Sequence, residues 1–152
     1  MKKLFHFDAP REHYECDAVI VWCFDHRFGL GLRKFLPRIG VVYADPIMIA
    51  GGAMSLASPK QESDREFVLD QIRASIRLHG TKRAILMLHS DCGAYGGLGA
   101  FQNDEQAEFL HHREELHRAA ANLKAAIPEL QVEVYFANFE GIWTTEAEPG
   151  TL

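Results

Sequence analysis

Cys23, Asp25 and Arg27 stand in the run Val21-Trp22-Cys23-Phe24-Asp25-His26-Arg27, and His89 and Cys92 in Leu88-His89-Ser90-Asp91-Cys92-Gly93. Two cysteines and one histidine make a soft-to-borderline donor set that suits Zn²⁺. Cys92 follows His89 by three residues, so both can face one ion, while Cys23 must be delivered by another segment. Three protein ligands leave one tetrahedral position open. Water at that position has its pKa lowered to about 7, which gives a hydroxide nucleophile at neutral pH. Asp25 and Arg27 are two residues apart and point the same way in an extended segment. An arginine can hold a carboxylate with two parallel hydrogen bonds. Held in this way, Asp25 orients the nucleophile. Released, it can ligate the metal itself and close the site.

Both motifs directly follow apolar runs. Ala18-Val19-Ile20-Val21-Trp22-Cys23 and Ala84-Ile85-Leu86-Met87-Leu88 are short, continuous and rich in strand formers, so they read as strands buried on both faces. Sites in parallel α/β sheets form beyond the carboxyl ends of the strands, where Cys23 and His89 fall. Phe28 to Leu36 is predicted to be a short helix stopped by Pro37. Gly40 to Tyr43 and Ile47 to Ile49 form a second extended region, in which Asp45-Pro46 makes a break or forces an edge position. Ser63 as N-cap with Glu66 three residues on predicts a helix that carries Ile72 and Ile76 inward and ends at His79-Gly80. A glycine-rich loop follows, with Gly93, Gly96, Gly97 and Gly99. Asn103, with Gln106 in the capping-box position, then opens a long helix with the apolar stripe Phe109, Leu116, Ala120, Leu123 and Ile127. Gln131 to Asn138 alternates and reads as the last strand, and the tail from Glu140 reads as irregular. The expected fold is one α/β domain over residues 1–152, with a core of about 17–138 and a mainly parallel sheet flanked by helices.

The composition bounds the function. A chain of 152 residues that is 47% hydrophobic and 24% charged is long enough for one sizeable core. A net charge of −5 excludes broad phosphate neutralisation, so no nucleic-acid partner is expected. Val41 to Ala57 is the longest apolar stretch. Asp45, Pro46 and two glycines break it, so no membrane span is expected. Lys2-Lys3 lacks a following apolar region of export length, which points to a cytoplasmic protein. Its three cysteines then read as thiols or ligands rather than disulfides.

Other features read more plainly. Cys16 is a small buried hydrophobe. His111, His112 and His117 read as a solvated helix face, and His26 as a surface or dyad-neighbour residue. Asp91 either orients a ligand or caps a loop, and Tyr95 either lines a pocket or packs. Gly29-Leu30-Gly31 lacks the third glycine of a dinucleotide loop, since Lys34 stands there. A cysteine phosphatase loop would need arginine where Gly29 stands. A structural zinc site is the rival class, but paired Cys-x-x-Cys knuckles are absent from the sequence.

Cys-x-Asp-x-Arg followed by His-x-x-Cys-Gly, each after an apolar strand, resembles the β-class carbonic anhydrases, and the resemblance covers most of Ala18 to Asn138. It implies zinc, one ion per chain, on Cys23, His89 and Cys92, with Asp25 and Arg27 as the dyad that controls the fourth position. It implies reversible hydration of carbon dioxide to bicarbonate, and a homodimer or larger assembly with the site near the subunit interface. Ala50, Gly51, Gly93 and Tyr95 are the substrate-pocket candidates. The family's second-strand motif Arg-Asn-Ala-Gly falls on Met48-Ile49-Ala50-Gly51, so its polar pair is apolar here. Alternative functions are hydrolysis of carbon disulfide or carbonyl sulfide, and a non-catalytic zinc-bound homo-oligomeric module.

Overall fold

Every residue of β1 (Ala18–Trp22) is buried, as a continuous apolar run demands. The chain then passes through a 3₁₀ turn at His26–Phe28 into α1 (Gly29–Phe35). A second 3₁₀ turn, Leu36–Ile39, holds Pro37 at its start. Next come β2 (Ala44–Met48), the single-turn α2 (Met54–Ala57), α3 (Glu62–His79) and β3 (Arg83–His89). Two short 3₁₀ turns lead to α4 (Glu105–Ala126), β4 (Gln131–Ala137) and β5 (Ile142–Thr144). The structure, a computed structural model, describes residues 1–146.

The five strands form one sheet in the order β2-β1-β3-β4-β5. The first four are parallel, and β5 runs antiparallel to β4. Pro46 lies inside β2, opposite Ile20. Proline has no N–H to donate, and β2 accommodates it by lying at the sheet edge. Strand alternation divides the core. Val19, Val21, Leu86 and Leu88 face α2, α3 and α4, packing with Leu56, Val68, Ile72, Leu116 and Leu123. Ala18, Ile20, Trp22, Ile85 and Met87 face the other way, against Phe28 and Leu32 of the α1 region and Val41. Helices therefore cover both faces of the sheet, which is what leaves its central strands wholly apolar. No helix among the described residues is long and apolar enough to cross a membrane.

Three local expectations are corrected. The tail from Glu140 is not all irregular, because Gly141 turns the chain back and Ile142–Thr144 pairs with β4. Three residues give too short a run for the alternation to be read. α3 starts before Ser63. Its cap is Gln61, whose backbone N–H donates to Asp64 Oδ2 at 3.3 Å. α4 is capped by Asp104 rather than Asn103, and Asp104 Oδ1 accepts from the N–H groups of Gln106 and Ala107 at 2.9 and 3.0 Å. Asn103 instead adopts a left-handed conformation, φ 60°, just outside the helix.

Candidate metal centre

Cys23 follows the last residue of β1 and His89 is the last residue of β3, and these two strands are neighbours. The register therefore brings the first donor beside the second, and a tight turn returns Cys92 to the same point. One donor atom from each of Cys23, His89 and Cys92 lies within 4.8 Å of the others, and all three residues are buried. His89 Nδ1–H donates to the Ser90 carbonyl at 2.8 Å. That bond fixes the tautomer and leaves the lone pair on Nε2. Nε2 is itself buried and has no hydrogen-bond partner among the described residues. A buried unpaired imidazole nitrogen beside two thiols is costly as a void and well matched to a metal ion. The thiols are electronically unequal. The neighbouring Cys92 thiol holds Cys23 below its ordinary value against the opposing effect of burial. Cys23 and burial together push Cys92 up. The donor set fits one thiophilic ion, which would displace the thiol protons.

Asp25 is clamped. Arg27 donates from Nε to both carboxylate oxygens at 3.0 and 3.2 Å and from Nη2 to Oδ2 at 2.7 Å. The Arg27 backbone N–H adds a fourth bond to Oδ1 at 3.0 Å. These bonds, the guanidinium first, hold the Asp25 carboxyl down to about 2, so it is ionised throughout the neutral range. Its Oδ2 stands 3.9 Å from His89 Nε2, at the edge of the donor cluster. Phe139 covers the outer side of the dyad, with its ring centroid 5.3 Å from the Arg27 guanidinium carbon.

Asp91 takes the loop-capping role and, in place of orienting a ligand, holds Arg27. Oδ1 caps the following turn by accepting from Leu98 N–H at 2.9 Å, while Oδ2 and the backbone carbonyl accept from Arg27 Nη1 and Nη2 at 3.0 and 3.1 Å. Its N–H donates to Glu108 at 2.6 Å. Asp91 has φ 55°, a left-handed conformation that costs an L-residue about 1–2 kcal/mol. Four hydrogen bonds to three separate segments hold it there.

The glycine-rich loop is anchored to α4. Ser90 Oγ and Asp91 N–H both donate to Glu108, and Tyr95 OH donates to Glu115 Oε2 at 3.0 Å. Glu115 also accepts from Ser58 and Arg118. Glu108, His112 and Glu115 are 1%, 0% and 2% exposed. The reading of His112 as solvated is therefore corrected. It packs among Tyr95, Phe101 and Phe136, whereas His111 and His117 are exposed. The apolar stripe runs as expected from Phe109, which packs on Phe136 of β4, but Glu108, His112 and Glu115 add a buried polar face that the stripe does not announce. Sequence patterning cannot reveal this, since Glu at these positions reads as solvent-facing.

The pocket candidates separate. Ala50 lines a cavity of about 310 Å³ together with Ile49, Met54, Lys60, Asp64 and Ala94, and none of the three donors or the dyad residues lines it. Gly51 has φ 77°. Gly93 is exposed and Tyr95 is turned toward α4. Gly52 was not singled out from sequence. A Cβ there would meet Cys23 N and Met87 O, each at 2.8 Å, so only glycine fits where the chain after β2 crosses the ends of β1 and β3. The signal was the Gly51-Gly52 pair directly after a strand.

A parallel sheet with two thiols, an imidazole and a clamped carboxylate at its carboxyl edge defines a carbonic-anhydrase-like chain. A family model described as "Putative carbonic anhydrase" matches residues 13–146, and the chain belongs to that family. An uncharacterized protein of Rickettsia bellii (strain RML369-C) is 25% identical over 148 residues, covering 93% of this chain and 90% of its own. A second, from Rickettsia conorii (strain ATCC VR-613 / Malish 7), is 25% identical with 93% and 80% covered. Among solved structures, a β-carbonic anhydrase of Trichomonas vaginalis superposes with TM-score 0.61 at 15% identity, covering 92% of this chain and 87% of that one. The carbonic anhydrase of Streptococcus mutans gives 0.59 at 18%, covering 88% and 84%. That of Glaciozyma antarctica gives 0.56 at 21%, with the same coverage. These similarities show a shared fold.

Proposed function

We propose that this protein is a zinc-dependent enzyme that hydrates carbon dioxide reversibly to bicarbonate. The observation that carries the reading is the buried Cys23–His89–Cys92 donor set with an unpartnered His89 Nε2, beside an Asp25 that Arg27 holds in place. When bound, zinc would supply a Lewis-acid centre that makes water ionisable near neutral pH. Cys23, His89 and Cys92 would hold it. Asp25, ionised and fixed, accepts a hydrogen bond and so orients the attacking oxygen. Arg27 keeps that carboxylate from turning to the metal. The protein acts as a homo-oligomer, a dimer or a multiple of it. Phe24, next to the ligand Cys23, is a large apolar side chain left 62% exposed. Sedimentation at micromolar concentration should report that assembly, and a monomer would count against it.

Stopped-flow hydration with a pH indicator tests the activity. Zinc-loaded protein should exceed the Cys92→Ser protein, with a rate that rises as pH increases. A rate equal to that of the variant at pH 8 to 9 would remove the assignment while leaving the metal site standing. A second reading, hydrolysis of carbon disulfide or carbonyl sulfide, is favoured by one observation: the apolar Met48-Ile49 pair stands where the family motif has its polar pair. Sulfide release from either compound, with no carbon dioxide hydration, would select it. A non-catalytic zinc module is disfavoured by the commitment of Asp25 to Arg27.

A further inference from the structure

We propose that Glu108 of α4 is a positioning residue for the Asp25–Arg27 dyad, an inference that rests on the functional reading above. Glu108 is 1% exposed and lies on a helix that supplies no candidate ligand. A carboxylate taken out of water costs several kcal/mol unless its oxygens are satisfied. Here each oxygen takes one short bond, Oε2 from Ser90 Oγ at 2.6 Å and Oε1 from Asp91 N–H at 2.6 Å. Both donors belong to the turn between His89 and Cys92.

The chain of contacts continues outward. Asp91, fixed by Glu108 in its left-handed conformation, presents Oδ2 and its carbonyl to the outer nitrogens of Arg27. Nε and Nη2 of Arg27 hold Asp25, so Nη2 is shared between the two contacts. A guanidinium is planar and rigid, so setting its outer edge sets its inner edge. Arg27 side-chain atoms are 45% exposed, and without Asp91 the dyad would be an ordinary solvated ion pair. Glu108 therefore fixes, through Asp91, where the Asp25 carboxylate sits beside the metal position. Glu115, one helical turn pair further along α4, is equally buried but holds Tyr95 and Ser58, and has no such connection to Arg27.

Amide and guanidinium NMR on the protein as purified tests this. The Arg27 Nε–H signal is assigned by its loss in the Arg27→Lys protein. In the unsubstituted protein that proton should exchange more slowly than those of exposed arginines. Glu108→Ala should speed its exchange by roughly tenfold, a change of about 1.4 kcal/mol in opening. Glu108→Gln, whose amide oxygen can still accept from Asp91 N–H, should restore it. Glu115→Ala should leave it unmoved while lowering thermal stability. If Glu108→Ala does not fold, Ser90→Ala, which removes one of the two bonds to the carboxylate, must show an intermediate acceleration. Equal exchange in the Glu108 variants and the parent, or equal acceleration by Glu115→Ala, overturns the proposal. The readout does not depend on metal or turnover. A protein that binds no zinc yet shows the Arg27 response would fail the functional reading and keep the positioning network.

Discussion

A Cβ on Gly52 would stand 2.8 Å from the backbone nitrogen of Cys23. The segment after β2 is thus packed directly on the end of the strand that delivers the first ligand. Gly52→Ala should cost about 2–4 kcal/mol, combining overpacking with its φ of 51°. Its melting temperature should fall by roughly 4–16 °C. Gly40→Ala shares the positive φ but has no atom within 4 Å of the added methyl, so calorimetry should show a smaller loss. Equal losses would mean that the close approach is not what demands glycine at 52.

Metal content should depend on all three donors. The purified protein should carry about one zinc per chain, as a three-residue site implies. Cys23→Ser, His89→Ala and Cys92→Ser should each lose it by elemental analysis. Zinc retained at parental level in any one of them would remove that residue from the ligand set.

Arg27→Ala should separate binding from turnover. When the guanidinium goes, Asp25 keeps only the backbone N–H bond to Oδ1, and the freed Oδ2 at this distance competes for the open coordination position. Zinc should stay, hydration should fall to the level of the Cys92→Ser protein, and X-ray absorption should report an additional oxygen neighbour. Parental activity in this variant would end the gating role.

His112 should leave a mark on acid stability. Burial first, with the charges of His111 and His89, lowers it from 6.5 to about 3, and neither ring nitrogen has a hydrogen-bond partner among the described residues. Glu108 Oε1 lies 3.8 Å from Nε2, beyond hydrogen-bond reach, so its charge opposes the effect of burial without satisfying the ring nitrogen. The native state thus resists a proton that the unfolded chain binds. Stability from this group is complete above pH 6.5 and declines as pH falls from 6.5 toward about 3, by up to ~1.4 kcal/mol per pH unit. His112→Phe, set among Tyr95, Phe101 and Phe136, should flatten that decline in urea titrations at pH 7, 5 and 4. An unchanged slope would place the acid sensitivity elsewhere.

The sequence made the sheet and the site motifs legible because both are local. Ala18 to Trp22 and Ala84 to Leu88 announce buried strands by their own composition, and Cys23, Asp25, Arg27, His89 and Cys92 occupy fixed offsets after them. What escaped is what depends on distant contacts. Glu108, His112 and Glu115 look solvent-facing until the loop they hold is folded against α4. Gly52 looks like any turn glycine until β1 and β3 are seen to run beneath it. β5 is a strand only because β4 offers it an edge.

Cys23 and the His89–Cys92 pair sit on neighbouring strands, yet α1, β2, α2 and α3 lie between them in the chain. In the unfolded chain only His89 and Cys92, three residues apart, offer an ion a local pair of donors, and Cys23 is beside them once β1 and β3 have paired. An ion held there would act as a rivet across the centre of the sheet, joining β1 to the turn after β3. It would slow unfolding more than it sped refolding, tying this protein's lifetime, rather than its birth, to metal supply.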